Sequence, residues 1–429
     1  MEQHTATIAL KLRDRAAAKR AIEELARERD GQKGPRLFGG LDVHFARVAL
    51  LEEPGGVPYA SWMILETNFD SEHADRDAAV REHLHRLATK RKAELAALVA
   101  ATEGTGATSA DAIHDLFLRK TARSTAEYQG HTHRDLRRIE LEGQVRREAL
   151  AFAATLPRDT KAHDVHRLVR GYIAKLHIRG LDLDAPAPPR PDPAVRAQKL
   201  RETVRPWLTH APLLFGSVLP VVLSTFAELF SPQFDLQARA EERGPDAEAL
   251  LRSCASTEDH GAHNALTHVV PLKPGWIRAR ALAGLHRYLA GVARDHFDEI
   301  GMLGGIPSIH FAKWVLIDEG RRLLFMSNYD GNWESYLGDF VDGAAAGLNA
   351  AWTCTEEYPN TIGTFWGGAN DEERFKAWAR SKQRPTQLFY TAYPASSVAT
   401  INNATWLRAG LHEAKLSGPA LEEWRRRLT

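Results

Sequence analysis

The stretch GGIPSIHFAKWVLIDEG, residues 304–320, is an apolar run in which His310 and Lys313 stand three residues apart. Its β-branched and aromatic residues, Ile309, Phe311, Trp314, Val315 and Ile317 among them, predict a strand. The stretch GGLDVHFARVALLEE, residues 39–53, repeats the arrangement with His44 and Arg47. VHFARVALLEE (43–53) laid on IHFAKWVLIDE (309–319) is identical at His, Phe, Ala, Leu and Glu. Two more blocks follow in the same order: MILETNFD (63–70) over LLFMSNYD (323–330), then Tyr128, Ile139 and Arg146 over Tyr390, Ile401 and Arg408. Three collinear matches indicate a duplicated unit.

The element pattern duplicates with the residues. Thr5–Leu12 alternates as a strand, 13–29 has helical periodicity, Val43–Leu51 and Ala60–Thr67 read as strands about the turn at Pro54–Gly56, and 74–101 is helical again. The later half runs strand 267–273, helix 277–297, strands 308–317 and 322–328, then helix 333–348. This order matches the ferredoxin-like motif, whose antiparallel sheet carries helices on one face and leaves the other to be buried. The predicted class is therefore α+β: two ferredoxin-like repeats, residues 1–157 and 257–429, with their sheets packed as a dimeric α/β barrel within one chain. A helical and proline-rich insertion, 158–256, separates them. Burial of both sheet faces explains why the strands are continuously apolar rather than alternating.

The totals narrow the function classes. The chain has 429 residues, and 56 Lys and Arg against 55 Asp and Glu leave a net charge of +1, so no overall field favours nucleic acid. Cys254 and Cys354 are the two cysteines, too far apart for a zinc–thiolate motif and too few for a disulfide framework; a cytoplasmic setting is expected. The N-terminus reads as a strand entering a helix rather than as a secretory signal. Residues 211–230, APLLFGSVLPVVLSTFAELF, are long enough to span a bilayer, but Pro220 would kink them and Glu228 would be costly in lipid. They read as a buried or capping hairpin, a peripheral membrane contact, or a span.

Four stretches carry candidate chemistry. By strand alternation His310 shares a face with Ala312 and Trp314, while Phe311, Lys313 and Val315 point the other way; His310 is then either a hydrogen-bonded core histidine or a pocket residue with Trp314 as the pocket's side. TEDHGAHNALTHVVPLKPG (257–275) concentrates Glu258, Asp259, His260, His263, Asn264 and His268. As a helix it would set His260, Asn264 and His268 on one face toward a cofactor or metal, with His260 and His268 as ligands; otherwise it is a capping stretch. Asp330 in SNYDGNWESYLGDF (327–340) ends a strand and starts a turn that the first half repeats at Asp70. GHTHRD (130–135) offers His131, His133 and Asp135 as a loop metal site with no histidine counterpart in the second half.

A chain of this size with tandem ferredoxin-like units resembles the dye-decolorizing peroxidases, in which the second unit holds haem. The resemblance covers the two repeats and implies a haem-binding, peroxidase-like oxidoreductase. His260 or His268 would be the iron ligand, with Asn264 and Trp314 lining the cofactor, His310 the distal acid–base group and Asp330 its support. The group's Gly-x-x-Asp-Gly signature is absent, and where the group has a distal arginine this chain offers His310 or Lys313. Two other readings stand beside it: a peripheral membrane or lipid-handling protein that takes a small-molecule or lipid-like substrate, and a non-catalytic interaction module that assembles as an oligomer.

Overall fold

The computed structural model describes residues 1–53, 59–185, 205–228, 245–259, 261–298, 302–303, 306–362 and 364–428. The chain is an α+β protein with two antiparallel five-stranded sheets. Its contacts divide it into two units, Met1–His133 with Lys199–Pro394, and Arg134–Gln198 with Ala395–Thr429.

In the first half, β1 (Glu2–Lys11) leads into α1 (Arg15–Arg27), and β2 (Val43–Leu51) and β3 (Trp62–Ser71) follow as neighbours. Three helices come next, α2 (Arg76–Lys90), α3 (Lys92–Ala100) and α4 (Ala110–Lys120), then the short strands β4 (Thr121–Ala122) and β5 (Ser124–Gln129). The 74–101 helix is thus broken into two at Arg91, which lies outside the helical region at φ −127°. Beyond β5 run α5 (Leu136–Ala153), α6 (Ala162–Lys175), α7 (Arg205–His210), α8 (Val218–Glu228) and α9 (Pro245–Ala255). The later half repeats the plan: β6 (His263–Pro271), α10 (Trp276–Val292), β7 (Ile309–Ile317), β8 (Arg322–Asp330) and α11 (Trp333–Trp352). It ends with the hairpin of β9 (Thr361–Ile362) and β10 (Trp366–Gly367), then α12 (Glu372–Lys382), β11 (Gln383–Arg384), β12 (Leu388–Thr391), α13 (Val398–His412) and α14 (Gly418–Arg426).

One sheet has the order β12-β2-β3-β1-β4 and the other β5-β7-β8-β6-β11. The two orders correspond strand for strand, with one exchange: β5 of the first half completes the sheet of the second, and β12 of the second half completes the sheet of the first. Tyr128 pairs with Ala312 and Tyr390 with Ala46, so the exchanged strands sit in matching register. Helices cover the outer face of each sheet; under the second sheet Trp333, Tyr336, Phe340, Trp352 and Trp378 form an aromatic core with Trp314 and Phe325.

The inner faces pack on each other. Ala9, Leu51 and Ile64 of one sheet meet Val269, Val315, Leu324 and Met326 of the other. A charged centre is embedded in this layer. Glu66 on β3 is ion-paired with Arg47 on the neighbouring strand and, across the layer, with Lys313 at 2.9 Å; all three are fully buried. Arg47 also reaches across, donating to the carbonyls of Leu266 (2.6 Å) and Ser327 (2.9 Å), to the Thr267 hydroxyl (3.2 Å) and to the Asn328 side chain. Burial alone would raise the Glu66 carboxyl, but the Arg47 and Lys313 charges outweigh it and hold the group below its usual range. Lys313, which the sequence offered as a catalytic cation, is committed to this network.

The second unit is helical. Val145 and Ala149 of α5 pack with Val165, Val169 and Ile173 of α6 and with Leu407 and Trp424 of α13 and α14. Buried Glu142 accepts from Arg138 at 2.8 Å and from the Thr405 hydroxyl.

Removing one member of a buried ion group leaves its partners charged and desolvated, at a cost of about 3–5 kcal/mol. Glu66→Gln strands two cations, whereas Lys313→Met leaves the Arg47–Glu66 pair intact. Urea denaturation is expected to show Glu66→Gln losing most of that amount and Lys313→Met losing clearly less; equal losses would mean that Glu66 does not hold the layer together.

Candidate functional site

Both β2 and β7 carry a β-bulge at their start: the register with the neighbouring strand shifts between Val43 and Phe45, and between Ile309 and Phe311. The extra residues are His44 and His310. A bulge breaks the two-residue alternation, so each histidine is turned onto the inner face, the face of Arg47 and Lys313. Strand alternation placed His310 with Ala312 and Trp314; the bulge corrects this. Ala312 and Trp314 face the helices, while His310 packs on Phe45 of the opposite sheet (ring centroids 4.8 Å) and, reciprocally, Phe311 packs on His44 (5.7 Å).

Each bulged histidine meets the aspartate that ends the adjacent strand. His44 Nε2 lies 2.9 Å from Asp70 Oδ1, and His310 Nε2 lies 2.7 Å from Asp330 Oδ1. The second residue past each exchanged strand reaches the other ring nitrogen. His131, beyond β5, is 2.7 Å from His310 Nδ1, and Tyr393, beyond β12, is 3.1 Å from His44 Nδ1. Main-chain bonds fix both placements, Gly130 N–H to the His310 carbonyl (2.8 Å) and Ala392 N–H to the His44 carbonyl (2.9 Å). The duplicated His–Asp pairs therefore lie together at one end of the layer between the sheets.

The copies differ at the first strand. Gln3 pairs in register with Asp70, and the residue paired with Asp330 is His263. His263 Nε2 is 3.4 Å from Asp330 Oδ1, and its Nδ1 is 3.0 Å from the Thr391 hydroxyl. His263, His310 and Asp330 present ligand atoms that all lie within 4.8 Å of one another, close enough for modest rotamer changes to bring them to about 2.1 Å from one ion. Both imidazoles are buried, and the Asp330 side chain keeps 14% exposure, so the site opens toward solvent at its carboxylate.

A metal-ligating Nε2 requires the proton on Nδ1, with an acceptor to hold it. Thr391 Oγ1 and His131 Nε2 can both accept. In the first copy, burial and then the charges of Asp70 and Asp330 push the Tyr393 phenol well above its ordinary range, so it stays protonated and able to donate. With Asp70 accepting from His44 Nε2–H, Nδ1 takes the phenol hydrogen. His310, with Nε2 at 2.7 Å from Asp330 Oδ1, has the same arrangement as His44, and the copies differ in what faces Nδ1, His131 in one and Tyr393 in the other.

Of the residues expected from sequence, His310 and Asp330 come together here. His131 joins them, but Asp135 instead caps α5 by accepting from the Arg138 N–H at 2.8 Å. His260 lies outside the described residues. The expected helical face through Asn264 and His268 is absent because residues 263–271 are strand β6. Asn264 points away from the cluster and ties the strand to the following turn, donating to the Gly331 carbonyl at 2.6 Å. His268 is buried against Trp352 and Trp378, with ring centroids at 5.0 and 4.8 Å. Its surroundings do not fit a haem: the protein's own rings occupy the space a macrocycle would need, and burial holds the imidazole well below its usual pKa. Trp314 packs on Phe325 at 4.7 Å within the same aromatic layer. Sequence reasoning missed His263 and Tyr393 as site members; carrying the repeat alignment into the first and last strands would have exposed both as divergent positions. No protein-family model, curated protein or solved structure matches this chain.

Two buried histidines outside the cluster make the first unit acid-sensitive. Burial lowers His83 to about 3 and His286 to about 4, from 6.5 when exposed. His286 donates Nε2–H to the Ala351 carbonyl (3.2 Å) and accepts from the Thr125 hydroxyl (2.6 Å), so the native state favours the neutral ring. The unfolded chain takes up the proton first; the stabilisation is complete above pH 6.5 and is lost as pH falls toward 4 for His286. His286→Gln is expected to reduce the pH slope of stability in that window by about 1.4 kcal/mol per pH unit, measured by urea unfolding; an unchanged slope would refute the assignment.

Proposed function

We propose that the chain is a fused pair of ferredoxin-like units carrying one non-haem metal centre, and that it works as a metal-dependent oxidoreductase. The strand orders β4-β1-β3-β2 and β11-β6-β8-β7 support the two-unit reading, since they are the 4-1-3-2 order of that motif. The observation that carries the metal reading is an asymmetry. Both copies keep a His–Asp pair, but among the described residues only the copy with His263, where the other has Gln3, offers three converging ligands.

Two imidazoles and one carboxylate suit ferrous iron, and leave coordination positions for small oxygen-containing molecules. Bound there, the metal supplies redox and Lewis-acid chemistry. The chain's own residues do the rest. His131 and Thr391 hold the ligand rings in the required tautomer, Phe45 covers the site on the opposite sheet, and Asp330 faces the route of approach.

Iron(II), manganese(II) and zinc(II) loading under anaerobic conditions, followed by elemental analysis, tests the reading. One ion per chain is expected for the wild type and for His44→Gln. His263→Gln, which gives the second copy the first copy's residue, should lose the ion while keeping its fold by circular dichroism, and Thr391→Val should weaken binding about 10–100-fold. Nitric oxide binding to the ferrous protein, followed by electron paramagnetic resonance, tests for open positions. Equal metal content in wild type and His263→Gln would end the proposal.

A further inference from the structure

Helix α8 is arranged inside out. Ser217 just before it and Ser224 within it are buried, and Thr225 bonds the Thr364 hydroxyl at 2.5 Å. Val218, Leu219, Val222, Leu223 and Phe226 form the outward stripe, all exposed. A helix on a water-facing surface places its apolar stripe inward. Here the inward side carries polar groups beside a single valine: the Ser217 hydroxyl accepts from Arg287 at 3.3 Å and sits against Gly284, where any side chain would collide with it, while Val221 packs on Ala281, Leu282 and Cys354.

The exposed face extends beyond the helix. Phe215, 89% exposed, stands at the bend before α8, Trp276, 75% exposed, begins α10, and Ile362 and Trp366 lie on the β9–β10 hairpin that Thr364 ties to α8. So many large apolar groups on one surface mark an interaction site. Among the described residues no single helix is long and apolar enough to cross a membrane; Leu208–Leu214 and Val218–Ala227 instead form a pair bent by 90°. Gly216, at φ +77°, makes the turn between them. Such a pair can lie along a surface without crossing it.

The chemistry of the rim selects the surface. A cleft of about 430 Å³ beside Trp276 is lined by Lys273, Arg278 and Arg321, with Glu356 as its acidic member. It is continuous, through Pro274, Gly275, Trp276 and Arg278, with a hollow of about 290 Å³ lined by Leu223, Ala227 and Ile277. Arg280 and Arg287 add exposed cations on α10. An apolar stripe beside a cationic cleft matches the two layers of a phospholipid leaflet, acyl chains below and phosphates above.

We infer that α8, Phe215 and Trp276 dock the protein on the surface of an anionic phospholipid bilayer, with Lys273, Arg278 and Arg321 receiving the headgroup phosphate. The metal reading does not depend on this. The test uses the full chain and vesicles of phosphatidylcholine alone or mixed with phosphatidylglycerol, separated by flotation. Flotation with the mixed vesicles is expected, falling as salt rises. Phe215→Ser with Phe226→Ser should weaken it about tenfold or more, and Arg278→Gln with Arg321→Gln should remove the preference for phosphatidylglycerol. Both variants should keep the wild-type circular dichroism spectrum and metal content. Failure to float with either vesicle overturns the inference. Self-association by light scattering that the Phe215→Ser, Phe226→Ser variant abolishes, without vesicle binding, would assign the face to a second copy of this chain.

Discussion

The contact on which the rest depends is the buried meeting of Glu66 with Arg47 and Lys313. Two sheets could bury their apolar faces in many relative positions, because apolar packing is weakly directional. A carboxylate held between cations from both sheets tolerates few of them. A slip of one residue in β3 or β7 would turn a charge out of the layer and leave its partner alone in a medium that stabilises charge poorly. Arg47 narrows the choice further by bonding β6 and β8, so one side chain touches three strands of the layer. At the end of that layer the His–Asp pairs meet, and their spacing is set by the same register.

The sequence made the repeat and most strands legible, since long apolar runs and matching blocks are local signals. Val43–Leu51 and Ile309–Ile317 fall where the residue pattern puts them, to within a residue. The bulges were not legible. An inserted residue leaves the hydrophobic run unchanged and shows only in pairing, so the face of His310 was misread. The exchange of β5 and β12 was hidden for a related reason: STAEYQ and LFYT are short, and which sheet a short strand joins is decided by the whole chain. The site was half visible. His310, Asp330 and His131 stood out as titratable groups, but their convergence depends on those two hidden features.

Residues 211–230 show a different limit. Their composition announced an apolar surface, and composition is silent about direction. Ser217, Ser224 and Thr225 are polar residues that bury well when hydrogen-bonded, and their inward placement sends Val218, Leu219, Val222, Leu223 and Phe226 outward.

The borrowed strands constrain how this polypeptide must assemble. Each half lends one strand to the sheet of the other, and the corresponding positions differ, Gln3 against His263 and Tyr393 against His131. The cost is kinetic: the first half cannot close its sheet until β12, more than three hundred positions beyond β2, has been synthesised, so that sheet is completed late in translation.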